Sequence, residues 1–267
     1  MHLRRSLWLV LFASTGFAQA LDPDTQSLVD HLNADRDTFG AGNARMLQLG
    51  RSLEDQARNT KNLSVSRIEE ESIPEFSDPK LAGTTRAADG FLKFTLANSD
   101  IVIVGRLENQ LSIFNTNKTS IVTDSLLKVS NVLYDKQGIG LHAGDKIVVT
   151  RPGGRLRIDD HAIEVRVEGF PAFDAGADYL LFLHRVPVSG SYDVQRLDAF
   201  VIEGVSIRPL ATIAKVHPAA PYLTSTEAFL EKVRTFAEAS SHAVESSRYD
   251  DSFLRSLSVS PTGSRLA

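Results

Sequence analysis

The 267-residue sequence contains no cysteine, so disulfides, thiolate metal sites and thiol nucleophiles are all excluded. It lacks any marked excess of charge. Its 29 Lys and Arg against 33 Asp and Glu give a formal charge of -4, which excludes nucleic-acid binding driven by a bulk basic field. No apolar run approaches the roughly 20 residues of a membrane-spanning helix. Gly-x-Ser-x-Gly and His-Glu-x-x-His are also missing, which removes the usual signatures of a serine hydrolase elbow and a zinc hydrolase helix. Pro152-Gly153-Gly154 is followed by neither Lys-Ser/Thr nor a helical pattern, so it is no phosphate loop. What remains is an ordinary globular composition, 42% hydrophobic and 23% charged, long enough to bury a core without staples.

The amino terminus carries the most specific signal. Arg4 and Arg5 precede the apolar stretch Leu7 to Phe12, and Ala18-Gln19-Ala20 has the small-x-small pattern of a signal peptidase site. Residues 1–20 therefore read as a cleaved signal peptide, and a secreted or periplasmic location is expected. Cleavage removes two arginines and no acid, lowering 29 basic residues to 27 against 33 acidic and the formal charge from -4 to -6. Export without cysteine fits a bacterial envelope better than a eukaryotic secretory route.

Residues 21–90 read as a polar, partly helical segment and linker. Leu28, Val29 and Leu32 share a face in Asp24 to Leu32, and Met46, Leu47 and Leu53 recur at helical spacing in Asn43 to Arg58. Asn59 to Ala88 mixes charge, proline and small residues as a linker does. Residues 91–217 differ. Apolar runs rich in β-branched residues follow one another at short spacing: Asp100 to Leu107, Ser120 to Tyr134, Lys146 to Thr150, Ala162 to Val167, Tyr179 to Val186 and Asp198 to Ile207, the last broken at Glu203-Gly204. Ile163, Val165 and Val167 alternate with Glu164, Arg166 and Glu168 in a clean period of two. The expected fold is mainly β, a five- to six-stranded antiparallel barrel with flanking α-helices, and Ile101, Ile103, Val129, Val149, Val165, Leu181 and Leu183 are its expected core. Residues 218–239 read as a carboxy-terminal helix with a capping box at Thr224 and Glu227. Residues 240–267, with nine serines, read as a disordered tail.

The strand Ser99 to Leu107, the return Val129 to Leu133, the turn and strand Gly144 to Val149, and Phe173 to Leu183 occur in an order that resembles a family of exported bacterial proteins of unknown function. More distantly the stretch from about 95 to 205 is similar to the netrin-like, tissue-inhibitor-of-metalloproteinase-like branch of the OB fold. The resemblance implies an OB/netrin-like barrel and a binding or inhibitor-like role. The animal inhibitors work through a cysteine at the mature amino terminus, and this chain has none, so that mechanism does not carry over.

Two residue groups invite chemistry. Arg151, Arg155 and Arg157 surround the Gly153-Gly154 turn, and guanidinium forks suit carboxylate, sulfate or phosphate, so these three are the expected anion- or partner-binding residues. His142, Asp160 and His161 are the alternative, a metal-assisted hydrolytic site. His184, inside an apolar strand, reads as a packed or edge histidine. The expectation is a non-enzymatic module with no cofactor and no metal. Its partner would be a protein or anionic ligand, with neither nucleic acid nor a membrane span involved.

Overall fold

Two-residue alternation decides most of this fold, and the computed structural model shows where it does so. It describes residues 22–30, 53, 62–67, 83–115, 118, 120–158, 160–187, 189–211 and 217–240. The expected signal peptide, most of the Asn43 to Arg58 helix and nearly all of the expected tail lie outside the described residues.

The protein is mainly β. Among the described residues nine strands run β1 Asn62–Arg67, β2 Ile101–Phe114, β3 Ile121–Asp135, β4 Lys146–Pro152, β5 Gly154–Ile158, β6 His161–Val167, β7 Asp178–Arg185, β8 Tyr192–Glu203 and β9 Ser206–Pro209. Helical residues are α1 (23–30), α2 Thr85–Asn98 and α3 (226–240), with a short 3-10 turn at Ala220–Tyr222. Among the described residues no helix is long and apolar enough to cross a membrane.

Six strands form one antiparallel sheet in the order β4-β3-β2-β7-β8-β9. β4 also meets β8 in parallel, through Val149↔Tyr192 and Thr150↔Asp193. A second sheet has the order β1-β6-β5, with β1 parallel to β6 and β5 antiparallel to it.

The apolar runs of β2 and β7 are buried on both faces, as two-sided strands should be. Ile101, Ile103, Leu181 and Leu183 face inward with Val129, Ile147, Val149, Val194 and Val201. Val102, Leu180 and Phe182 face the other way, against Phe91, Leu92 and Leu96 of α2 and Phe229, Val233 and Ala237 of α3. Six of the seven expected core residues lie together in the first cluster. Val165 does not. It packs with Leu53, Ile121, Ile163 and Val167 beneath the small sheet.

Four other expectations need correction. The stretch read as linker holds β1 and the start of α2, because Leu63 and Val65 alternate well enough to join β6. The β region begins not at 91 but at Ile101. Residues 85–98 are helical, since Ala88, Phe91, Leu92, Thr95 and Leu96 fall on one buried face and the Thr84 side chain caps the Ala87 amide at 3.2 Å. Pairing is not antiparallel throughout, as the β1–β6 and β4–β8 contacts show. Finally, α3 is capped by Ser225, whose Oγ accepts from the Ala228 amide at 3.2 Å, rather than by Thr224.

Candidate functional site

The arginine segment is two strands rather than a loop. Only Gly153 separates β4 from β5, and both glycines serve close packing as the chain passes between sheets. Gly153 has φ +86 and donates its amide to Ile121 O at 2.8 Å. Gly154 has φ +138, and a Cβ there would lie 2.1 Å from Thr123 Oγ1. Their backbones are occupied by the fold instead of being presented to an anion.

Arg151 is separated from the other two arginines by burial. It has the parity of Ile147 and Val149, so β4 points it inward, and it is 5% exposed. Its guanidinium lies 4.3 Å from the Phe173 ring centroid and 5.6 Å from that of Phe170, and Nη1 donates to Pro171 O at 2.5 Å. Desolvation pulls its pKa down to about 9, which still leaves it charged at neutral pH. Such an arginine pins the 170–173 segment; it does not face solvent.

Arg155 and Arg157 do face solvent, on alternate positions of β5, while Leu156 and Ile158 turn toward the core beneath the small sheet. Arg155 stands opposite Glu164 on β6 and Arg157 opposite Ala162. Glu164 also accepts from Arg166 at 3.0 Å. The outward face of the small sheet therefore carries three arginines around one central glutamate.

The residues of the alternative metal site are not brought together. His142 is exposed and lies 3.9 Å from Asp145, whereas His161 lies 3.2 Å from Asp160. Each histidine has its own acid, and among the described residues no three His, Asp or Glu side chains gather around a point suited to a metal ion.

Sequence reasoning missed a different cluster. His184 on β7 stands across from Asp193 on β8, and its Nε2 is 3.8 Å from Asp198 Oδ2. Thr95 of α2 donates to the other Asp198 oxygen at 3.3 Å. Asp100, before β2, accepts the Arg185 amide at 2.8 Å and Gln137 Nε2 at 2.7 Å. Burial pushes Asp193 and Asp198 above the ordinary carboxylate pKa. It also opposes charge on His184, but Asp198, Asp193 and Asp100 outweigh it and raise that pKa. These residues come from four segments, and local spacing gives no sign of them.

A second missed feature is a cleft of about 250 Å³ between α1 and the β3–β4 face, lined by Asp24, Ser27, Leu126, Lys146, Val148 and Tyr192 among others. Leu28 is fully buried there against Leu126 and Val148. Lys146 bridges Asp24 at 2.6 Å and Glu108 at 3.1 Å.

No known protein-family model matches the chain, and no curated protein matches it either.

Proposed function

We propose that this chain is an exported, non-enzymatic binding module built on an OB/netrin-like barrel, and that its partner carries anionic groups. The observation that supports the reading most is the parallel β4–β8 contact. With it the hydrogen-bonded order β4-β3-β2-β7-β8 returns to β4. Numbered along the chain those five strands follow 1-2-3-5-4-1, the cyclic order of OB-type barrels, which serve widely as ligand-binding frames.

Arg155 and Arg157 are the binding residues in this reading, with Arg166 beside them; Arg151 is not one. Two residues apart on one strand, their Cα atoms are about 6.6 Å apart, a spacing suited to successive acidic groups on an extended partner. Attraction of this kind acts only over about 8 Å at physiological salt. Retention of the chain without residues 1–20 on immobilised heparin tests the reading. The wild type should elute at higher salt than Arg155→Glu/Arg157→Glu, with both proteins showing the same circular dichroism. Equal elution would overturn it.

A further inference from the structure

β7 and β8 pair at Leu183↔Val194 and next at Leu181↔Ala199, so residues 195–198 bulge out of the ladder. Side chains from outside the β8 ladder hold this bulge on two sides. Asp198 accepts from Thr95 of α2 at 3.3 Å and lies 3.8 Å from His184 Nε2 of β7. At Leu197 the carbonyl lies 3.2 Å from His217 Nε2, while His217 Nδ1 accepts the Ala219 amide at 3.1 Å.

The two imidazoles need opposite protonation states. Because His217 Nδ1 is an acceptor, the ring must be neutral with its proton on Nε2, which then donates to Leu197. Around it lie the Phe91 and Phe200 rings, each with its centroid 5.2 Å away, and desolvation there outweighs the Leu197 carbonyl, which favours the cation. His184 instead faces Asp193, Asp198 and Asp100, while α2 contributes only the uncharged Thr95. Its Nε2 and Asp193 Oδ1 are buried without a hydrogen-bond partner, so it is the charge of the three carboxylates that favours the imidazolium against its burial. The bulge's own cation, Arg196, is buried as well.

We propose that the 195–198 bulge is a proton-operated clasp, gripped by charged His184 through Asp198 and by neutral His217 through Leu197, with both grips closed together only while His184 is charged and His217 is neutral. Toward alkaline pH the His184 grip is lost and the bulge hangs from His217. In strong acid the His217 grip is lost and the turn at 217–222 is released. The shifts agree in direction: His184 titrates above its ordinary 6.5, and desolvation holds His217 down to about 4.

The test is an NMR titration of the protein from pH 3 to 9, following the 195–199 amides together with the Cε1–H signals of both rings. The bulge amides should shift with His184 above pH 6.5 and with His217 near pH 4. His184→Gln should erase the upper step alone, and His217→Gln the part of the lower change that tracks the His217 Cε1–H signal, the remainder belonging to Asp193 and Asp198, which burial raises. Asp193→Asn keeps the imidazole but removes a facing carboxylate, so it should move the upper midpoint downward even if His184→Gln fails to fold. Bulge amides that stay still while the imidazoles titrate, an upper step that survives in His184→Gln, or an unmoved midpoint in Asp193→Asn would each overturn the clasp.

Discussion

Arg151 lies over the Phe173 ring, its guanidinium carbon 4.3 Å from the centroid, and its Nη1 donates a hydrogen bond to the Pro171 carbonyl. A buried cation held this way, with its Nε left unpaired, contributes packing and a cation–π contact rather than a binding surface. Arg151→Ala should therefore destabilise the fold by about 2–3 kcal/mol in urea unfolding, since it strips Phe170 and Phe173 of their cover and opens a cavity. Its heparin retention should match the wild type. A drop in retention comparable to that of Arg155→Glu/Arg157→Glu would put Arg151 back on the binding surface.

Leu181 and Val165 belong to different clusters, one between the strands of the large sheet and one beneath the small sheet. Leu181→Ala should cost about 2–5 kcal/mol through lost burial and the cavity left behind. Val165→Ala, a smaller truncation, should cost about 1–3 kcal/mol. With no shared partners, the double variant should be additive within about 0.5 kcal/mol. Coupling well beyond that would mean the clusters form one core.

Gly154 leaves almost no room for a side chain. An added Cβ would sit 2.1 Å from Thr123 Oγ1 and 2.8 Å from Ser112 Oγ, at a φ of +138 that side chains rarely adopt. The two hydroxyls are themselves 2.6 Å apart, and Thr123 Oγ1 donates to Gly153 O at 2.7 Å, so neither can step aside without losing a bond. Gly154→Ala should cost more than about 2 kcal/mol, whereas Gly90→Ala, inside α2 where a Cβ meets nothing within 4 Å, should stabilise by about 0.5–1 kcal/mol. Similar effects of the two would remove the packing argument for the glycine pair.

Strands whose alternation is strong are legible in the sequence. Ile163, Val165 and Val167 alternate with charge, and Tyr179 to Leu183 is apolar on both faces; each became a strand within two residues of where the pattern put it. β1 was missed because only Leu63 and Val65 mark its buried face, too few for a period to stand out. α2 was missed because its apolar residues run almost directly into those of β2, with only Asn98, Ser99 and Asp100 between Ala97 and Ile101. The burial of Arg151 was in the sequence, since it shares parity with Ile147 and Val149, but proximity to Arg155 and Arg157 suggested a common loop. The bulge contacts were not legible. Thr95 and Asp198 are 103 residues apart, and only the packing of α2 on the sheet brings them together.

His217 supplies the last prediction, one of stability against pH. Desolvation between Phe91 and Phe200 disfavours its cation and holds its folded pKa at about 4, below the 6.5 of an unfolded histidine. The unfolded chain therefore takes up a proton that the folded chain refuses, and stability falls as pH drops from about 6.5 toward 4. At about 1.4 kcal/mol per pKa unit, the full loss is roughly 3 kcal/mol. His184 acts with the opposite sign. Its folded pKa is raised, so its contribution is complete below about 6.5 and disappears as pH rises through the folded value. The wild-type profile mixes the two, and subtraction separates them. Urea unfolding of wild type and His217→Gln should give curves whose difference is constant above about pH 7 and shrinks progressively below 6.5, because the glutamine cannot titrate. A difference that stays constant down to pH 4 would show that His217 is protonated as readily folded as unfolded, and would remove the neutral grip on Leu197.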